Sequence, residues 1–175
     1  MKIIKYLLYI FYLILQRKKK KEWDRFLPLG ELLIERRDKA KLLGFGKGTT
    51  IHDSSHVYGN VEIGQNTFVG PFTILDGTGG LRIGSFCSIS TGVQIYSHDT
   101  VNYAISGGKD PYEYNTVVIE DNCYIGPNAV IQSGITIKKG TIVGANSFVN
   151  KNFPENSKIA GSPANLINYN SKKSN

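Results

Sequence analysis

Cysteine, methionine and tryptophan are scarce in this chain of 175 residues, with two, one and one copies, and only three histidines occur. Cys87 and Cys123 are too few for a disulfide framework and lack the paired spacing of a zinc site. They fit a reducing, cytoplasmic setting. Acidic residues are missing from residues 1–21, which hold Lys2, Lys5, Arg17, Lys18, Lys19, Lys20 and Lys21. These cations account for the whole formal charge of +7, so residues 22–175 sum to zero. A nucleic-acid-binding face would have to be drawn from a neutral domain, which argues against that class of partner. A long apolar run is also missing. The unbroken stretch from Tyr6 to Leu15 is too short for a comfortable membrane span. No small-residue cleavage site follows it, which excludes a secretory signal.

These features leave residues 1–21 as an apolar, tyrosine-bearing segment ending in a lysine cluster. That pattern fits a helix lying in a membrane surface, where each lysine near anionic lipid contributes about 1 kcal/mol. The alternative is a helix buried in an oligomer or capping the domain. Hydrophobic content of 41% is that of a globular protein.

The chain does have a strict period. An aliphatic residue recurs every six positions at Ile51, Val57, Ile63, Val69 and Leu75. It slips by two residues at Gly77–Gly80 (GTGG), then resumes at Ile83, Ile89 and Ile95. After an irregular stretch it returns at Ile119, Ile125, Ile131, Ile137, Val143 and Val149. Four places after most of these comes a small or modest residue, such as Ser55, Thr67, Thr73, Cys87, Cys123, Ala129 and Ser147. Neither a helix nor an ordinary strand repeats every six residues. Three six-residue flats joined by corners make a triangular coil, and stacked coils bury a continuous core of inward aliphatics. The fold class is therefore an all-β solenoid, a parallel β-helix of four to five coils. Both cysteines fall on corner positions and read as core packing.

Four units follow. Residues 1–21 form the apolar and basic segment. Residues 22–47 contain one amphipathic helix over 29–46, with Leu29, Leu32, Leu33, Ala40 and Leu43 as its apolar face, covering the first coil. Residues 48–168 form the β-helix, with an extruded loop at 99–117. Residues 169–175 form a polar tail. His98 stands where the regular coil gives way to the loop. His52 and His56 fall at outward positions of the first coil and read as surface residues.

The six-residue pattern, the histidine before a long loop and the closing stretch IVGANSFVNKNFPENSKIAGSPANLI resemble the hexapeptide-repeat acyltransferases. Residues 45–168 look most similar to the sugar O-acetyltransferases of the galactoside and maltose acetyltransferase group. The resemblance implies a left-handed parallel β-helix with N-terminal α-helices, assembled as a homotrimer with active sites between subunits. It implies acetyl-CoA as acyl donor, no metal, and a sugar acceptor in cell-surface polysaccharide or lipopolysaccharide biosynthesis. It places His98 as the catalytic base. Its coenzyme A contacts carry over to Gly126, Pro127, Ala145, Asn150 and Lys151, with Lys158 compensating for Asn165, where the family has arginine. The family's acceptor contacts fall near Gly70 and Thr78 with Asp76 close by, so the acceptor differs from that of those sugar enzymes.

Acetyl transfer to a hydroxyl needs a base to take the proton as oxygen attacks the thioester, and a histidine titrating near neutrality suits it. Backbone N–H groups must steady the oxyanion. No Cys–His pair is evident, so direct transfer is expected rather than an acyl-enzyme. Asp76 and Glu120 are the candidates to orient His98. Asp76, Asp99, Tyr103 and Lys109 are the candidate acceptor contacts, and Tyr112 and Tyr114 add stacking surface in the loop; the alternative is a loop that only supports assembly. Rival readings are N-acetylation of a nucleotide-linked amino sugar, a non-catalytic scaffold, and a zinc carbonic anhydrase, which needs three convergent histidines. The setting implied is the cytoplasm, at the inner face of the membrane.

Overall fold

The computed structural model describes residues 2–169. The tail reading therefore lies outside the described residues from 170 onward. The core is a parallel β-helix whose rungs stack in register. One face carries Ile51, Val69, Ile89, Ile125, Val143 and Ile159. A second carries Val57, Leu75, Ile95, Ile131 and Val149. A third carries Ile63, Ile83, Ile119 and Ile137. The stack is thus slightly longer than expected, because it starts a further turn at Ile159. Every aliphatic of the six-residue series is buried except Val57, which packs against the core part-exposed.

The corners explain the rest of the repeat. Turning the chain so sharply requires left-handed backbone, which Asn and Gly adopt at least cost. Asn66, Asn122, Asn128, Asn146 and Asn156 hold φ between 53° and 59°. Small hydroxyl residues staple one coil to the next: Thr49 Oγ1 donates to Gly64 O at 2.7 Å and Thr67 Oγ1 to Gly84 O at 2.9 Å. Cys87 and Cys123 occupy the same corner ladder, their thiols reaching Glu120 O and Lys138 O at 3.2 Å.

The GTGG slip is a bulge. Strand His56–Ile63 pairs with strand Ile74–Ile83, with the register shifting between Gly59 and Val61. Gly79 is obligatory there, since a Cβ would collide with the Ser97 carbonyl oxygen. The bulge brings Asp76 and Thr78 beside Ser97.

The N-terminal part departs from expectation. The single helix read over 29–46 is two short ones, α2 (Leu29–Leu33) and α3 (Arg36–Leu42), separated by extended Ile34. Leu29 and Leu33 are exposed, Leu32 is buried outside the main core, and the seal on the first coil is made by Ala40 and Phe45 with Leu43 packed against the core. Lys39 adds a polar plug, donating to the carbonyls of His52, Asp53 and Ser55 at 3.1, 2.7 and 2.9 Å. The preceding helix, α1 (Lys2–Trp23), runs two residues past the expected boundary at 21. Its apolar residues Ile3, Ile4, Tyr6, Leu7, Leu8, Tyr9, Phe11 and Ile14 are exposed. It docks through buried Gln16, whose Nε2 donates to Leu27 O at 2.5 Å and whose Oε1 accepts from Leu27 N at 3.2 Å. At the other end, strands Ser157–Gly161 and Ala164–Tyr169 form an antiparallel hairpin over the last coil.

Candidate active site

His98 sits where the third coil opens. The Ser97 carbonyl accepts from Asn115 N at 2.9 Å, and Asn115 O accepts from Gly134 N at 3.1 Å, so Asn115 resumes the ladder that Ser97 leaves. Everything between is extruded. Inside the loop, His98–Asp99 pairs antiparallel with Glu113–Tyr114, a short helix α4 covers Val101–Ile105, and Tyr103 meets Tyr112 edge-on at 4.7 Å.

The imidazole is held from two sides. Its Nδ1 lies 2.5 Å from Asp76 Oδ2, and its ring stacks on Tyr114 at 6.4 Å and 29°. Asp76 is 2% exposed. It also accepts from Thr78 N at 2.9 Å, from the Thr78 hydroxyl, and from Ser97 N at 3.0 Å. Burial alone would raise its pKa, but the hydrogen bonds of Thr78, His98 and Ser97 outweigh it and leave the carboxyl ionised with a pKa of about 2. An ionised carboxylate only accepts, so His98 Nδ1 is the donor in this contact and Nε2 is the ring nitrogen left open. Ser97 is fully buried, and its Oγ accepts from Gly79 N at 2.8 Å, tying the bulge to the loop junction.

Asp76 therefore orients His98 and, being buried against it, does not face an acceptor as an open contact. Glu120 is engaged elsewhere, with Lys138 Nζ at 2.9 Å and Lys139 N at 2.8 Å. Asp99 Oδ1 accepts from Val101 N at 2.6 Å, and Lys109 and Tyr103 stand in the exposed loop. Sequence reasoning does not single out Thr78 and Ser97 as supports of the Asp76–His98 pair. The bulge itself was the available signal, because a two-residue slip in a strict repeat marks a place where backbone is re-aimed.

The expected coenzyme A residues fall on two edges of the prism. Gly126 N donates to Val143 O, and a Cβ on Gly126 would meet Ala145 N, so Gly126, Pro127 and Ala145 stack tightly on one edge. Asn150 and Lys151 follow Val149, and Val149 stacks on Ile131 and Ile95, so they share the edge from which His98 emerges. Lys151 donates to Asn165 Oδ1 at 3.2 Å and lies over Phe153. Lys158 pairs opposite Asn168 in the hairpin.

The other histidines behave differently. His56 is exposed against Tyr58. His52, expected at the surface, is buried: Nδ1 lies 3.0 Å from Glu31 Oε1, and α2 covers it. Burial and the nearby Arg36 lower its pKa. Among the described residues no group of three or more histidine, cysteine or acidic side chains is placed to hold a metal.

A family model described as bacterial transferase hexapeptide (six repeats) matches residues 45–77 and 116–151, the segments flanking the slip, the third coil and the loop. These two segments carry hexapeptide repeats. The chain's hexapeptide coils share the left-handed β-helix with solved relatives. AntD, an N-acyltransferase from Bacillus cereus in complex with dTDP and 3-hydroxybutyryl-CoA, superposes with a TM-score of 0.64 at 22% identity, covering 78% of this chain and 89% of that one. The acetyltransferase domain of PglB from Neisseria gonorrhoeae, in complex with acetyl coenzyme A, gives 0.57 at 18% identity over 70% and 50%. The polySia-specific acetyltransferase NeuO gives 0.54 at 24% identity over 70% and 61%. In sequence, 70 residues of the chain are 37% identical to 2,3,4,5-tetrahydropyridine-2,6-dicarboxylate N-acetyltransferase of Staphylococcus aureus. That match covers 40% of this chain and 29% of the relative's length.

Proposed function

We propose that this protein transfers an acetyl group from acetyl-CoA to a hydroxyl of a sugar in cell-surface glycan assembly, with His98 as general base. The observation that carries the reading is the Asp76–His98 pair at the mouth of the extruded loop. His98 Nε2 takes the acceptor proton as the oxygen attacks the thioester carbonyl, forming a tetrahedral intermediate. Its collapse breaks the C–S bond, and the leaving thiolate takes the proton back from the imidazolium. Ionised Asp76 stabilises that imidazolium and fixes the tautomer.

The tight Gly126–Ala145 edge offers backbone for a pantetheine arm to lie against, and Lys151 offers a cation for its phosphates. These two edges are separated by a six-residue flat, at most about 20 Å of chain. A homotrimer would bring one copy's Ala145 edge against another's His98 edge, with Tyr103, Lys109 and Asp99 of the loop as acceptor contacts. The apolar and basic α1 would hold the enzyme at the inner face of the membrane. Among the described residues no helix is long and apolar enough to cross one.

A second reading is N-acetylation of a nucleotide-linked amino sugar. AntD and the Staphylococcus aureus relative are named as N-acyl- or N-acetyltransferases, which favours it. Thiol release from acetyl-CoA, measured across sugars, glycan fragments and nucleotide-linked amino sugars, separates the two. The His98→Ala variant is expected to keep its fold and donor affinity and lose about 10² to 10⁴ in turnover. Near-normal turnover in that variant would remove His98 as the base.

A further inference from the structure

Acyl transfer leaves a cleft of the N-terminal cap unused. It lies between the last turn of α1, the connection after it, and α2–α3, with a volume of about 530 Å³. Five cations line it: Lys19, Arg25, Arg36, Arg37 and Lys41. Three have acidic partners within the cleft. Lys19 pairs with Glu35 at 2.7 Å, Lys41 with Asp38 at 3.8 Å, and Arg36 with Glu31 at 3.7 Å. Glu31 is buried and already engaged by His52 and Ser54, so it is fixed as the counter-ion of Arg36. Arg25 and Arg37 pair with no acid among the described residues. Arg25 nevertheless stands close enough to Arg36 and His52 for its charge to depress both their pKa values.

Two uncompensated guanidinium groups gathered around one cleft make a recognisable receptor. The planar fork of arginine matches a phosphate bidentately, and two unpaired forks match the roughly two negative charges of a phosphate monoester. The surroundings add an apolar rim. Trp23 and Ile34 line the cleft, and Phe26 and Leu29 stand exposed beside it in the chain. Tryptophan beside cations is the composition of a headgroup-level site.

We propose that this cleft binds a phosphate group, with Arg25 and Arg37 as its principal ligands. The chemistry is shared by a lipid headgroup phosphate and a free phosphate or diphosphate. Nothing in it depends on acyl transfer, and a soluble probe tests it apart from membrane attachment.

Trp23, the only tryptophan, is a built-in reporter. The full chain is titrated with inorganic pyrophosphate, and separately with dihexanoyl phosphatidic acid below its micelle concentration, while Trp23 fluorescence is followed. The same titrations are run on Arg25→Gln/Arg37→Gln and on Lys18→Gln/Lys21→Gln, which removes equal charge outside the cleft. Both arginines are exposed, so their replacement leaves the fold in place. The expected result is a saturable change that weakens at least tenfold in the arginine variant and stays within twofold in the lysine variant. Tighter binding of the short-chain lipid than of pyrophosphate assigns a lipid source; equal or weaker binding assigns a free phosphate, and either supports the site. No saturable change with either probe, or equal weakening in both variants, overturns it.

Discussion

Asp76 decides what His98 can do. It is buried, it accepts hydrogen bonds from Thr78, Ser97 and His98, and its folded pKa of about 2 lies below the ordinary 3.8. A carboxyl with a depressed folded pKa stabilises the fold fully above about pH 4 and loses that contribution as pH falls toward 2. The size is about 2 kcal/mol. Asp76→Asn should therefore be less stable at neutral pH, with a shallower fall in stability between pH 4 and 2, measured by urea unfolding across that range. The same variant should lose about 10² to 10⁴ in kcat/KM, because the amide no longer stabilises the imidazolium. An unchanged pH slope would show that Asp76 is protonated or unpaired in the folded protein. His98 was visible in the sequence because it stands at the break in a strict repeat. Its partner was one of two candidates there, since the separation of 22 residues is bridged only by the bulge that the fold creates.

The corner ladder shows how an element assigns a residue's role. Cys87 and Cys123 stand one rung apart where Thr49, Thr67, Thr141 and Ser157 stand in other coils; Thr49, Thr67 and both thiols reach a carbonyl of a neighbouring turn, and Ser157 reaches Pro154 O in its own corner. The neighbouring Cys87 thiol, together with burial, pushes the Cys123 thiol up, the reverse of what a nucleophile needs. Threonine reproduces the size and the donor, so Cys87→Thr and Cys123→Thr should each retain activity and cost no more than about 1–2 kcal/mol. A folded but inactive Cys123→Thr, assayed by thiol release, would restore a covalent mechanism. The corners and inward aliphatics were legible because a six-residue period is a direct record of coil geometry. The cap was not. Its break at Ile34, the burial of His52 under Glu31 and the plug of Lys39 all depend on pairings 13 to 21 residues apart that no local period reports.

At the scale of the whole molecule, charge and apolar surface are concentrated at one end. Residues 1–21 carry all seven net charges, and α1 leaves its large apolar side chains exposed while docking through Gln16 and Lys19. A helix of 22 residues is about 33 Å long, yet its apolar run is too short to span, so the proposed attachment would lay that surface in the plane of a bilayer. Two forces would then act together. Apolar burial is indifferent to salt, whereas attraction of the lysines to anionic headgroups weakens as added salt shortens the Debye length from about 10 Å at 0.1 M to about 3 Å at 1 M. The intact protein should therefore sediment with anionic vesicles, bind neutral ones more weakly, and lose part of its anionic preference at high salt. Deleting residues 1–21 should abolish sedimentation but spare turnover on a soluble acceptor, because Ala40, Phe45, Leu43 and Lys39 still close the first coil. Co-sedimentation of both forms at low and high salt is the measurement. Intact protein left in the supernatant with anionic vesicles would mean that α1 buries its apolar surface against another protein chain instead.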